Sequence, residues 1–273
     1  MKKTLILLSS TALVFGCASA SSVTTADEVQ IGAQEAQQVN AQIPMVNDAA
    51  INNYVNSLGN RIAKLTSRGT ELNWQFQVVN SSDVNAFAIP GGYIYVNRGV
   101  IERASTMNEL AGVLGHEIQH VVKRHTVKQM AQAQNANTGV GLLCAITSVC
   151  NSGIGQGVIQ VAGTAAFAKF SRTDEQQADE GGFDNVLRAG IDPRGMYTFF
   201  QKLLAEEQAS GGGGATAGWF ADHPGTTDRL ADIQRKIDQV PAAQLRGLQK
   251  DESAFQTIKR RVGQLGPAPK PRQ

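Results

Sequence analysis

"LAGVLGHEIQHVVKRH", Leu110 to His125, decides how the rest of the chain is read. It holds three of the four histidines in the sequence, and His116, Glu117 and His120 spell H-E-x-x-H. On a helix, His116 and His120 lie about 40° apart on one face and one turn from each other, which suits a single metal ion. Leu110, Val113, Leu114 and Val121 form the apolar stripe, and the histidines fall at its edge, where a helix lines a cleft. Glu117 is close to both histidines but points away from the pair, so it can address a metal-bound water. The plain alternative is a chance pattern on a surface helix, and the apolar, helical setting weighs against it.

A catalytic zinc takes three protein ligands and keeps one position for water. His125 lies about 140° round the helix from His120 and reaches the site only if the helix has ended, so it is expected to be a solvated surface histidine. A glycine and then a histidine after H-E-x-x-H would complete another known zinc pattern, but Lys123 and Thr126 occupy those places. His223 stays in reserve. The first carboxylate after Glu117 is Asp174, and "SRTDEQQADEGG" supplies Asp174, Glu175, Asp179 and Glu180. Glu175 and Asp179 share a helical face. Glu175 could ligate zinc while Asp179 accepts a hydrogen bond from the free ring nitrogen of a ligand histidine, fixing its tautomer. The same spacing also fits an exposed acidic face.

The chain has 273 residues, 42% of them hydrophobic, enough for a sizeable core. Net charge is +2, with no Lys/Arg cluster of the kind a nucleic-acid surface requires. "MKKTLILLSSTALVFGC" is a targeting segment: a basic start, then an apolar core from Leu5 to Phe15 too short to span as a mature helix. Val14-Phe15-Gly16-Cys17 resembles a lipobox, with Cys17 lipidated, although Phe15 stands where a small residue is usual. Cleavage after Ala18-Ser19-Ala20 is the alternative, giving a soluble periplasmic protein. By the same resemblance, Ala18, standing where an inner-membrane retention signal carries Asp, implies an anchor on the inner face of the outer membrane. Export leaves Cys144 and Cys150 as a candidate disulfide, against two small buried thiols.

The expected organisation is a signal peptide over 1–17, a tether over 18–30, one domain over 31–245, and a helix end with a Pro-rich tail over 246–273. Helical patterns lie on both sides of Pro44. Residues 72–100, with alternating Leu72, Trp74, Phe76 and Val78 and the turn Pro90-Gly91-Gly92, predict a small antiparallel sheet. Further helices are predicted from Thr106 to about Gln134, about Gly157 to Ala189, Pro193 to Gln208 and Thr226 to Gln239. Residues 138–168 carry no charge and are read as a buried or membrane-touching hairpin, with a spanning helix disfavoured by their Asn, Gln and Gly.

"HEIQH" followed by "SRTDEQQAD" resembles a family of zinc peptidases that includes bacterial HtpX and BepA and the eukaryotic CaaX prenyl protease 1. Ser171, Arg172, Glu175, Ala178 and Asp179 match each fixed position of that family's second motif. "NAFAIPGGYIYV" and "DHPGTTDRL" look like family segments too. The resemblance covers about residues 40 to 240. It implies a mainly helical α+β, gluzincin-like zinc protease domain of the exported branch, with one Zn2+ per chain. His116, His120 and Glu175 would be the ligands, Glu117 the base and Asp179 the orienter, with Arg172 supporting the ligands from behind.

The resemblance also puts a His-Pro near the site. His223 would then be a fourth ligand that holds the enzyme off or a donor to the oxyanion; otherwise it is a loop histidine capping the next helix. Asn85, Ala86, Phe87 and Ala88 would form an edge strand to which an unfolded polypeptide adds. Quality control of outer-membrane proteins, beside the outer-membrane assembly machinery, is the family-level expectation. An aminopeptidase, or a chaperone-like binding protein with idle protease activity, are the rival readings.

Overall fold

The computed structural model describes residues 23–135, 170–211 and 214–269. Cys17, Cys144, Cys150, the signal segment and the uncharged stretch 138–168 lie outside the described residues. Helix α1 (Thr25–Gln42) begins within the span expected to be a tether, because Thr24 and Asp27 form a capping box at its start. Glu28 then anchors it: the carboxylate is buried and pairs with Arg68 at 2.8 Å. Helix α2 (Ala49–Ala63) is capped by Asp48, which accepts from the backbone N–H groups of Ala50 and Ile51. It buries Ile51, Val55, Leu58 and Ile62, an apolar stripe at helical spacing, and packs on strand β1 (Gln75–Val79).

Strand β2 (Ala86–Ile89) turns through Pro90–Gly92 into β3 (Tyr93–Asn97). Gly91 and Gly92 have φ of 81° and 96°, values that glycine adopts freely and other residues rarely do. The sheet order is β1-β3-β2. β3 is antiparallel to β2 but parallel to β1, so the sheet is mixed rather than antiparallel. The reason is topological: the chain leaves β1, lays β2 at the far edge, and returns by the tight turn into the gap between them. Residues 80–92 thereby serve as the crossover that a parallel pair needs.

Helix α3 (Arg98–Arg103) leads to α4 (Met107–Val122), whose residues Met107 to Val121 are all buried. The pattern expected to continue to Gln134 breaks at Arg124, which has φ 59°, and a separate helix α5 (His125–Asn135) follows. Helix α6 (Arg172–Arg188) starts at a Ser171–Asp174 capping box instead of running through from Gly157. Helices α7 (Arg194–Ser210), α8 (Ala217–Asp222), α9 (Thr226–Gln239), α10 (Ala242–Leu245) and α11 (Ser253–Gly263) complete the described residues. Phe255, Ile258 and Val262 of α11 join the main core, so the segment expected as a helix end and tail contributes packing.

The central helix α4 packs on α2, α6 and α7. Its crossing with α6 is close because both helices offer glycine there. A Cβ on Gly182 would lie 2.8 Å from the Gly115 carbonyl carbon, which leaves no room for a side chain. No helix among the described residues is long and apolar enough to cross a membrane.

Candidate metal centre

The Gly115–Gly182 contact brings His116 of α4 opposite Asp179 of α6. His116 Nδ1 lies 2.9 Å from Asp179 Oδ1, so the other ring nitrogen faces inward. There His116 Nε2 and His120 Nε2 are 3.0 Å apart, and Glu175 Oε2 and Oε1 lie 3.5 and 3.4 Å from them respectively. Glu175 sits one helical turn before Asp179, which is how one helix supplies both carboxylates to the same two histidines. All four side chains are buried; the histidines do not line an open cleft edge as their stripe position suggested.

His223 enters from the end of α8. Its backbone N–H donates to the Trp219 carbonyl at 2.7 Å, and its ring stacks on the Trp219 indole with centroids 4.4 Å apart. His223 Nδ1 is 3.2 Å from His116 Nε2 and 3.1 Å from Glu175 Oε1. One ligand-type atom from each of His116, His120, Glu175 and His223 fits within 4.8 Å of the others. Glu117 stands outside this set, buried, with neither carboxylate oxygen hydrogen-bonded among the described residues. Its nearest charged neighbour is His223, with Nε2 3.6 Å from Oε1.

A family model described as peptidase family M48 matches residues 49–237. The chain belongs to peptidase family M48. It is similar to the beta-barrel assembly-enhancing protease of Escherichia coli (strain K12), 30% identical over 232 residues that cover 82% of this chain and 47% of that protein. Metalloprotease YcaL of the same organism is 32% identical over 185 residues, 66% of this chain and 70% of the relative. The mitochondrial metalloendopeptidase OMA1 of Bos taurus is 29% identical over 176 residues, 62% and 34% of the two chains. This chain spans about half the length of the beta-barrel assembly-enhancing protease.

Membership of this metallopeptidase family implies a divalent metal, and the site's own chemistry fits one. Three buried carboxylates, Glu117, Glu175 and Asp179, face one permanent cation, Arg229, two charges short of neutrality. A buried uncompensated charge is costly, and a dication closes this deficit. The titrations register the same imbalance. Burial pushes the Glu117 carboxyl up. Burial also opposes ionisation of Glu175, but His223, Arg229 and His116 together hold it well below its usual range. Burial works against a charged His223, yet Glu175 above all drives its pKa up to about 9. In His116 burial wins, and the pKa falls to about 3, leaving a neutral ring of the kind that ligates metal.

Two expectations fail here. Arg172 does not support the ligands: its side chain is 81% exposed and, among the described residues, pairs with Asp228. It sits at the first position of α6, so it projects outward from the helix end while Glu175 projects inward. The cation behind the ligands is Arg229 of α9, which sequence reading missed. Its Nε and Nη2 donate to Asp179 Oδ2 and Oδ1 at 2.7 and 2.8 Å, and its Nη1 stands 2.5 Å from Glu175 Oε2, off the hydrogen-bonding angle. The Phe200 ring lies beneath it, with its centroid 4.8 Å away. A usable signal existed: a pair of carboxylates that close together, if buried, demands a guanidinium, and Arg229 lies in the "DHPGTTDRL" segment.

The second failure is His125, expected in solvent but only 1% exposed. Because α4 ends before it, its ring turns back, and Nδ1 lies 3.0 Å from His120 Nδ1. β2 is an outer strand of the described sheet and holds Ala86, Phe87 and Ala88, with Asn85 just before it. Asn85 Nδ2 donates to Asp222 Oδ2 at 2.8 Å, tying this edge to the residue before His223.

Proposed function

We propose that this chain is a zinc-dependent endopeptidase of the cell envelope that cleaves unfolded or misassembled polypeptides. The observation that carries the reading is the Glu117 carboxylate, buried and without a hydrogen-bond partner among the described residues, beside a cluster of four ligand-type side chains. A lone buried carboxylate is expensive unless a task uses it. His116, His120 and Glu175 would hold one Zn2+ per chain. When bound, the ion supplies Lewis acidity toward a peptide carbonyl and a more acidic water. Glu117 takes the proton of the attacking water and returns it to the leaving amide nitrogen, and its raised pKa brings it nearer the working range for both transfers. Asp179 keeps His116 in the tautomer that offers Nε2, and Arg229 keeps Asp179 ionised.

His223 acts as a fourth ligand that restrains basal cleavage. Its Nδ1 lies within the ligand group, against Glu175 and His116. The approach of substrate to the β2 edge would disturb it through Asn85 and Asp222. A polypeptide adding to that edge by main-chain hydrogen bonds is read for extension, not for sequence, which suits unfolded chains. The names of the relatives, a beta-barrel assembly-enhancing protease among them, support a role near outer-membrane assembly. Lipidation at Cys17, a periplasmic location at the outer membrane and a Cys144–Cys150 disulfide belong to the same proposal.

The test is cleavage of a casein-type unfolded substrate by wild type and Glu117→Gln, with blocked internal peptides compared against free-amine ones. Wild type cleaves the blocked peptides, and Glu117→Gln retains zinc without turnover. Equal turnover by the two proteins overturns the reading.

A further inference from the structure

We propose that His125 is a positioning residue for His120, fixing the tautomer and ring orientation with which His120 presents Nε2 to the metal. The proposal rests on the metal reading given above.

The two rings meet nitrogen to nitrogen, His120 Nδ1 to His125 Nδ1 at 3.0 Å. One of these nitrogens must carry a proton and the other a lone pair. If His120 gives its Nε2 lone pair to a metal, its proton sits on Nδ1 and it donates to His125. His125 then holds its own proton on Nε2, and Nε2 has acceptors waiting: Gln177 Oε1 at 3.2 Å and Asp174 Oδ1 at 3.4 Å. Each donor in this chain meets an acceptor, so one tautomer of each ring satisfies the whole series. The reverse assignment puts the His120 proton on Nε2, aimed at the neighbouring ligand nitrogens, and excludes metal.

The backbone is built to reach this arrangement. Five residues along an unbroken helix, His125 would lie about 140° away from His120. Arg124 breaks the helix in the left-handed region, φ 59°, where a non-glycine residue is strained. That strain is held from outside the helix, since the Arg124 guanidinium binds Glu28 of α1 and the Val23 carbonyl. Phe170 closes the other side of His120, stacked on its ring with centroids 3.9 Å apart. The two ligand histidines are therefore oriented by different chemistry: His116 by an ionised carboxylate, His120 by an imidazole. Both series end on α6, the helix that also supplies Glu175.

The experiment compares full-length wild type, His125→Ala and His125→Gln. Zinc affinity is read by chelator competition, and ligand geometry by the visible spectrum of the cobalt-loaded proteins. His125→Ala is expected to bind zinc about 10–100-fold more weakly and to alter the cobalt bands. His125→Gln, which keeps an acceptor for the His120 proton, recovers part of both, and this rescue separates positioning from packing. If wild type binds one zinc and neither variant changes affinity or spectrum, the assignment fails alone. Equal loss in both variants, without rescue, also overturns it. If wild type binds no zinc, the metal reading fails and the assignment falls with it.

Discussion

Gly115 of α4 and Gly182 of α6 touch backbone to backbone: a Cβ on Gly115 would lie 3.0 Å from the Gly182 carbonyl oxygen. The contact sits one residue before His116 and three after Asp179, so it sets the distance across which those two side chains bond.

Gly182→Ala therefore strikes the site through the helix spacing. Overpacking of this kind costs about 1–3 kcal/mol. Thermal unfolding should show that loss, and chelator competition should show weaker zinc binding although no ligand has changed. Gly263→Ala, where the added Cβ meets open space, is the control and should alter neither.

Arg229 is the permanent cation that pairs with two buried carboxylates. Arg229→Met preserves much of the stem that lies over Phe200 but takes the guanidinium away from Asp179 and Glu175. Removing one member of a buried ion pair costs about 3–5 kcal/mol. Denaturant unfolding of the metal-free protein should report a loss of that order. Arg229→Lys should recover only part, because an ammonium cannot donate to both Asp179 oxygens along two fixed N–H directions.

Those two residues also mark the limit of what the sequence discloses. His116, Glu117, His120 and the Glu175/Asp179 pair are legible because their relationships are local: a helical repeat of four residues fixes which side chains share a face. Arg229 is 50 residues from Asp179, and no local period reports that distance. His125 is misread for the opposite reason. Its neighbour is local, but the break at Arg124 depends on Glu28 and Val23, about a hundred positions earlier in the chain. The strands of the sheet are legible from alternation, whereas the parallel β1–β3 pairing is not, because strand order follows from packing on α2 and the tight Gly91-Gly92 turn. The start of α1 at Thr24 was legible in principle, since Thr24 and Asp27 spell a capping box.

His223→Ala distinguishes restraint from assistance. With Nδ1 removed from the ligand group, His116, His120 and Glu175 remain, so zinc should be retained while basal cleavage of an unfolded substrate rises. A fall of about 10²–10³-fold with zinc retained would instead mark His223 as an oxyanion donor.

Away from the site, Glu35 of α1 is half-buried, and burial raises its pKa from 4.5 to about 7. Below 4.5 the folded and unfolded chains are both protonated, and the stability associated with the neutral carboxyl is fully present. Between 4.5 and about 7 the unfolded chain releases the proton first, so stability falls, and above about 7 the loss is complete. Glu35→Gln removes this dependence. At pH 8 it should be more stable than wild type, by up to about 3 kcal/mol at 1.36 kcal/mol per unit, and at pH 4 the two should unfold alike. Parallel stability curves across that range would show that Glu35 does not titrate in the fold as described.

The central claim is that His116, His120 and Glu175 together hold one zinc. Elemental analysis of the purified full-length protein, beside Glu175→Gln and Glu180→Gln, a change at an exposed position of the same helix, prepared identically, tests it most directly. One zinc per chain in wild type and in Glu180→Gln, with most of it gone from Glu175→Gln, is the predicted result. A full complement of zinc in Glu175→Gln, or none in wild type, would contradict it.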